Sequence, residues 1–449
     1  MDDWRPTRLS TASWAIYDLA NTIFALGVSS LYFPQWLTLH AGELPGWLGS
    51  SGTADLALAV ALNSAMVVVI VLGPWIGARS DHRGRRMGYL VAATVLAVTP
   101  TSLIATVPAA ASLGLFALAL VGFNLGSVVY DALLPDVSTR ENIGRVSGVG
   151  IGVGYLGSFV AVVIGALLLV RTEHPAALVI AGITSDVTGF AAVFRTIALF
   201  FLVFALPTFL FVRERPRDPR PGRPPALRRS LRGLLESWRR AATHRGVTRF
   251  LIGRFFYTDA INTLIGGFLT IFVIEELDFT PAEVQGLLTV AILGAILGGL
   301  VGGRLVDRFG PRRLLHGVLH AWLVALGFGI VAGLVDIGPL AWALGALGGL
   351  ALGATWAADR VYMQRISPPR FLGEFYGLYA TVGRFATVLG PLLWGLLVSV
   401  AGLPREAALA MLAGFIVIGR LVLQGVDDEV RTWAPGDGGS LAGAPPAAP

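Results

Sequence analysis

Trp14-Ala15-Ile16-Tyr17-Asp18-Leu19-Ala20-Asn21-Thr22 places a carboxylate and a carboxamide inside an apolar run near the start of this 449-residue chain. Tyr257-Thr258-Asp259-Ala260-Ile261-Asn262-Thr263 repeats the arrangement in a second apolar run past the midpoint. Both contain Asp-x-x-Asn-Thr, 241 residues apart, and each has a tyrosine just upstream, Tyr17 and Tyr257. A membrane helix needs about 20 mostly apolar residues, and both runs are long enough. A carboxylate at that depth is costly and marks a functional position by default. Its recurrence predicts two copies of one helical bundle with polar groups aimed at a shared interior, as in solute carriers built from internal repeats.

Working outward, composition agrees. Hydrophobic residues make up 55% of the chain and charged residues 14%, where a soluble chain carries about a quarter charged. The mean hydropathy is +0.71. There are 56 glycines and no cysteine, which excludes disulfides and thiolate metal sites. The expected fold is an all-α membrane protein of twelve transmembrane helices in two six-helix halves. The spans fall at roughly 13–38, 55–78, 87–107, 111–133, 147–170, 190–212, 250–275, 281–304, 313–334, 338–361, 374–400 and 405–424. The first run is too long for a cleaved leader.

Orientation follows from arginine, the only basic residue type besides histidine in this lysine-free chain. With the N-terminus inside, 27 of 34 arginines lie on the cytoplasmic side and only Arg171 and Arg405 lie outside. That asymmetry obeys the positive-inside rule and puts both termini in the cytoplasm, with a bacterial inner membrane as the expected site.

The domain boundaries expected are an N-terminal bundle over 1–212, a basic connector over 213–249, a C-terminal bundle over 250–431 and a disordered Gly/Ala/Pro-rich tail over 432–449. In the connector, Leu227, Leu231, Leu234, Leu235 and Trp238 share one helical face, ringed by Arg228, Arg229, Arg232, Arg239 and Arg240. This suits an amphipathic helix on an anionic inner leaflet, although a plain basic linker explains it equally well. Nucleic acid is not an expected partner.

A second motif is also duplicated. Gly77-Ala78-Arg79-Ser80-Asp81-His82-Arg83-Gly84-Arg85-Arg86 follows the second span. Gly303-Arg304-Leu305-Val306-Asp307-Arg308-Phe309-Gly310-Pro311-Arg312-Arg313 follows the eighth. Both read G-x-x-x-D-x-x-G and then an arginine pair, 226 residues apart. Glycine permits close helix approach, aspartate can accept from a helix N-terminus, and arginine bridges carboxylates. The expectation is a latch made of Gly77, Asp81, Arg85, Gly303, Asp307, Arg308, Arg312 and Glu374. A tight basic turn is the plainer alternative.

Two six-helix halves with this loop after spans 2 and 8 resemble the major facilitator superfamily. Within it, four stretches resemble bacterial members of the vacuole effluxer (autophagy-related amino-acid effluxer) family. They are Trp14–Thr22; Tyr130-Asp131-Ala132-Leu133-Leu134-Pro135-Asp136 running to Gly144-Arg145-Val146-Ser147-Gly148; Tyr257–Thr263; and Gly373-Glu374-Phe375-Tyr376-Gly377-Leu378-Tyr379 running to Leu389-Gly390-Pro391-Leu392. The resemblance implies release of small solutes, amino acids above all. The chain departs from that pattern with Asp131 in place of Asn, Asn142-Ile143 in place of a charged pair, and Asp359-Arg360-Val361 in place of an arginine flanked by serines.

Asp18 and Asn21 are three apart and share a helix face, as do Asp259 and Asn262. Across a two-fold cavity they would carry a proton or hold an ammonium group, with the asparagines giving neutral hydrogen bonds. Arg384 and Arg360 are the candidate anion-binding groups, since a guanidinium holds a carboxylate bidentately. Tyr17, Tyr257 and Asp131 complete the candidate substrate and proton set. The structural alternatives are helix capping by the aspartates, pairing of Arg254 with Asp259, and pairing of Arg360 with a nearby carboxylate.

These residues predict a secondary active transporter, monomeric and free of metal or cofactor, that moves a small polar solute by alternating access with a proton or cation. A multidrug or sugar exporter, or a non-transporting receptor, is the rival reading. No metal-ligand cluster, nucleotide-binding glycine loop or nucleophile–base pair supports an enzyme.

Overall fold

The computed structural model describes residues 5–48, 54–83, 85–138, 143–169, 177–180, 183–186, 189–215, 227–244, 246–368 and 372–427. The expected tail over 432–449 lies outside them.

Helix α1 (Arg8–Phe24) starts where Thr7 accepts a hydrogen bond from the Ser10 backbone N–H at 3.1 Å, an N-cap. It passes through a π-helical stretch, Ala25–Tyr32, into α2 (Phe33–His40). Then follow α3 (Asp55–Arg83), α4 (Met87–Leu103), α5 (Ala109–Ala132), the single turn α6 (Leu134–Val137), α7 (Ile143–Leu168) and α8 (Phe190–Phe211). The connector carries α9 (Leu227–Thr243). The second half begins with α10 (Val247–Thr263), a π stretch Leu264–Phe268, and α11 (Leu269–Leu277). It continues with α12 (Pro281–Phe309), α13 (Pro311–Val335), α14 (Gly338–Ile366), α15 (Leu372–Phe385), α16 (Leu389–Gly395), a π stretch Leu396–Val400, and α17 (Arg405–Leu423).

Counting α1–α2, α10–α11 and α15–α16 as interrupted rods, and leaving aside the single turn α6 and the connector helix α9, the described residues trace twelve rods. Nine of the described helical stretches, two of them interrupted rods, are long and apolar enough to cross a membrane. Exposed side chains support that environment. Leu199, Val203, Leu206 and Leu210 form one stripe on α8, and Leu293, Leu297, Leu300 and Val301 another on α12. Apolar stripes of this kind need lipid or protein to cover them.

Three features depart from the sequence expectation. A two-stranded antiparallel hairpin, β1 (Ala177–Ile180) with β2 (Ile183–Asp186), interrupts the all-helical pattern, with Val179 opposite Thr184. The span expected over 374–400 breaks between Phe385 and Leu389, because Pro391 cannot donate to the carbonyl four residues earlier. The third is that the glycines expected to bring helix ends together, Gly77 and Gly303, face no atom within 4 Å of where a Cβ would sit. Close approach occurs instead at Gly298 and Gly353, where added side chains would strike the backbone at Leu350 and Ala295. The α12–α14 pairing is therefore of the small-residue membrane kind.

The chain divides into two compact units. One comprises Met1–Leu231, Thr263–Ile292 and Val388–Ala408; the other Arg232–Asn262, Leu293–Thr387 and Leu409–Pro449. The core of the first is aromatic, with Phe33 stacked on Phe116 at 3.7 Å and Phe24 on Phe123 at 4.8 Å. In the second, Trp322 donates to the Thr355 hydroxyl at 3.2 Å, and the Tyr362 hydroxyl to the Val426 carbonyl at 2.7 Å.

Candidate functional site

In the first unit, α1 packs against α7 and α8, and its Trp14 and Tyr17 side chains reach α5 and α4. The Trp14 ring stacks on Tyr130 at 4.6 Å and 6°, and its indole N–H donates to the Tyr130 carbonyl at 3.3 Å. Tyr17 stacks on the same ring at 5.1 Å and shares a 2.7 Å hydrogen bond with the Thr94 hydroxyl. Tyr17 is therefore a buried packing element whose one polar atom is satisfied.

Asp18 sits beside this cluster and is only partly buried. Gly154 of α7 faces the carboxylate, where a Cβ would lie 2.8 Å from Asp18 Oδ2, so a larger residue there would crowd it. Thr22 donates its hydroxyl to the Asp18 carbonyl at 2.9 Å. The Tyr130 hydroxyl lies in the field of Asp18 and Asp131. Among the described residues, that hydroxyl and the Asn21 Oδ1 are buried polar atoms without a hydrogen-bond partner. Asp131 is exposed.

In the second unit the corresponding residues have a different environment. Asp259 is fully buried. Arg254 does not pair with Asp259 on its own helix. It crosses to α14, where its Nε donates to Asp359 Oδ2 at 2.9 Å, and its Nη1 donates to the Tyr379 carbonyl at 3.0 Å. Tyr257 and Tyr379 donate their hydroxyls to Asp359 at 2.7 and 2.8 Å, and the guanidinium lies 3.7 Å from the centre of the Tyr379 ring. One buried carboxylate thus receives three donors from α10 and α15, the condition for keeping an ion pair out of water. Tyr257, placed with the substrate set from sequence, is committed to Asp359.

Asn262 donates to the Ala386 carbonyl at 2.9 Å, an acceptor in the break between α15 and α16. Arg384 lies just before that break and is partly exposed, while Arg360 is exposed on α14.

At the duplicated loops, the side chains of Asp81 and Glu374 lie outside the described residues. Arg85, Asp307 and Arg308 are exposed, and Arg312 donates to the Gln424 carbonyl at 2.9 Å. A group missed from sequence caps the first loop. Both oxygens of Glu214 accept from the start of α4, at 2.6 Å from the Arg86 N–H and 2.7 Å from the Met87 N–H. A carboxylate at a helix N-terminus satisfies otherwise orphaned donors. The Arg86 side chain reaches the buried Asp136 at 3.7 Å. No group of three or more metal-ligating side chains occurs among the described residues.

Known proteins resemble the chain over most of its length. Residues 6–431 match the family described as vacuole effluxer Atg22 like. The uncharacterised MFS-type transporter YxiO of Bacillus subtilis is 26% identical over 427 residues, covering 94% of this chain and 95% of that one. Autophagy-related protein 22-1 of Penicillium rubens is 27% identical over 322 residues, covering 66% of this chain and 52% of that protein, so the chain spans about half the length of this fungal relative. Among solved structures, a D-xylose-proton symporter superposes with a TM-score of 0.68 at 14% identity, covering 93% of this chain and 97% of that one. At that identity the likeness establishes the major facilitator fold.

Proposed function

The chain belongs to the vacuole effluxer Atg22-like family of membrane transporters, and on that premise we propose that it exports a small polar solute, an amino acid or short peptide, by proton-coupled alternating access. The observation that carries this reading is a paired interruption. The opening rod of each chain half loses regular α-helical bonding soon after its Asp-x-x-Asn-Thr motif, at Ala25–Tyr32 and at Leu264–Phe268. Gly267 there has φ 115°. Such breaks at matching places in two repeats point to a midplane binding site, since unwound backbone is tolerated in a membrane where it lines a cavity or is buried in protein.

On this reading the two aspartates differ in role. Asp18, partly exposed beside an unsatisfied tyrosine hydroxyl and asparagine oxygen, is the group that takes a proton or the solute's ammonium. Arg384 and Arg360 are the groups for its carboxylate. Asp259, fully buried, holds α10 in place. The duplicated loops act as the cytoplasmic latch, with Asp307 exposed for it. The protein works as a monomer in a bacterial inner membrane with both termini in the cytoplasm, and α9 lies on the anionic inner leaflet.

The test is a thermal-shift screen of purified protein against amino acids, short peptides, sugars and lipophilic cations at two pH values. Binding raises apparent stability by mass action. Amino acids or peptides are expected to stabilise in a pH-dependent way. Stabilisation by lipophilic cations or sugars alone overturns the substrate assignment.

A further inference from the structure

Arg405, the first residue of α17, is one of the two arginines that sequence assigns to the outer side. Arg405 as a whole residue is 6% exposed and lies in the first unit, against a fully buried Asp55 at the start of α3. Nη2 donates to Asp55 Oδ2 at 2.8 Å, with Nε 3.2 Å from the same oxygen, and Nη1 donates to Glu276 Oε1 at 2.7 Å. Glu275 Oε2 lies 3.6 Å from Nη2. The Trp394 indole N–H donates to Asp55 Oδ1 at 2.6 Å.

Asp55 comes from the first half of the chain. Glu275 and Glu276 end α11, Trp394 lies in α16 and Arg405 opens α17, all in the second half. Other contacts in the same unit join the same two halves. Thr270 donates its hydroxyl to the Ser30 carbonyl at 2.7 Å, and the Leu56 N–H donates to the Ser399 hydroxyl at 3.1 Å. Gly267 is so close to α2 that a Cβ would lie 2.5 Å from Pro34 Cγ. Helix α3 has 29 residues between Asp55 and Arg83, roughly 40 Å. The cluster therefore lies about one membrane thickness along α3 from the duplicated arginine-rich loop.

We propose that Asp55, Trp394, Arg405 and Glu276 form a clasp that shuts the outer mouth and must open in each transport cycle. The inference rests on the alternating-access reading. A latch at the cytoplasmic loops acts only in the state closed to the cytoplasm, so a rocking carrier needs an opposing contact at the other end. A buried ion pair suits that task. Its mutual attraction is largely offset by the hydration its members regain when exposed, so it breaks and reforms within the few kcal/mol that separate carrier states. The neighbouring contacts at Leu56 and Thr270 are neutral hydrogen bonds, so they add no second locked ion pair.

The chain has no cysteine, so spin labels can be placed on it directly. Glu43→Cys and Leu403→Cys lie on exposed residues of the same unit and report the separation of the two halves at this mouth by pulsed electron resonance in detergent. The native clasp is expected to give a dominant short distance. Arg405→Met should raise the ratio of long to short distances about 5-fold or more. Asp55→Asn should raise it less, and Trp394→Phe, which removes only the indole donor, least.

Unchanged distances in all folded variants would make the cluster a static pin and overturn the clasp. If Arg405→Met does not give a monodisperse protein, Asp55→Asn and Trp394→Phe carry the test, because both keep the buried guanidinium's other partners. Native flux with no distance response removes the clasp and leaves the transport reading standing. A graded distance response in protein that moves no solute leaves the clasp and removes the transport reading.

Discussion

Arg254 holds Asp359, 105 residues away on α14, at 2.9 Å, and leaves Asp259 on its own helix to other neighbours. A buried arginine with one carboxylate and two tyrosine hydroxyls around it makes the second unit electrostatically self-contained at this depth. The first unit has a different arrangement around α1. There the aromatic stack of Trp14, Tyr17 and Tyr130 occupies the equivalent place. Two copies of one motif have thus diverged, one toward packing around an accessible carboxylate and the other toward a locked charge pair.

That divergence sets a ranking of stabilities. Arg254→Met leaves a buried carboxylate without its counter-charge and is expected to cost about 3–5 kcal/mol. Tyr257→Phe or Tyr379→Phe removes one donor to a charged acceptor and should cost about 1–3 kcal/mol. The double variant Arg254→Met/Asp359→Leu should recover much of the loss, because no unpaired charge remains. Thermal unfolding of purified protein in detergent gives the order. A double variant less stable than Arg254→Met would contradict the account.

Asp18→Asn is expected to keep the fold, since Asp18 is only partly buried and asparagine has its size. Flux in proteoliposomes should fall at least 10-fold and lose its pH dependence. Asp259→Asn, at a fully buried position, should instead lower stability. Native flux with native pH dependence in Asp18→Asn removes that residue from the mechanism.

Glycine positions give a test that is independent of transport. Gly298→Ala meets the Leu350 backbone and should lower the unfolding temperature markedly, because backbone cannot move aside as a flexible side chain can. Gly77→Ala and Gly303→Ala meet nothing within 4 Å. They should be neutral or slightly stabilising, by up to about 1 kcal/mol from helix propensity. Equal losses at Gly77 and Gly298 would show that the loop glycine packs closely after all.

Glu214→Gln keeps the shape of the cap on α4 but removes its charge, and is expected to cost about 1 kcal/mol. Glu214→Ala removes the acceptor from both the Arg86 and Met87 N–H groups and should cost more. Amide hydrogen exchange at the first turn of α4 is the direct measurement. Protection unchanged in Glu214→Ala would show that water or another group caps the helix.

Much of the fold was legible because membrane insertion acts on residues one stretch at a time. An apolar run of sufficient length is a span whatever surrounds it, and the arginine-rich loops mark alternate ends, so the order of rods follows from the chain alone. The same local logic exposed the duplicated Asp-x-x-Asn-Thr motif. Nothing local announces the hairpin at Ala177–Asp186, or the break at 386–388 beyond the nearby Gly390-Pro391.

Partner choice was not legible in this way. Arg254 has Asp259 five residues along its own helix and Asp359 more than a hundred residues off, and the nearer one loses because side chains five apart do not share a helix face. Asp55 and Arg405 stand at the starts of two helices 350 residues apart, each reading as an ordinary loop-end charge. Their pairing depends on how helices from both chain halves meet. Hydrophobicity and charge count are properties of single segments and can be read along the chain. Which buried charge meets which is a property of three-dimensional packing, where the cost of leaving either one alone selects the partner.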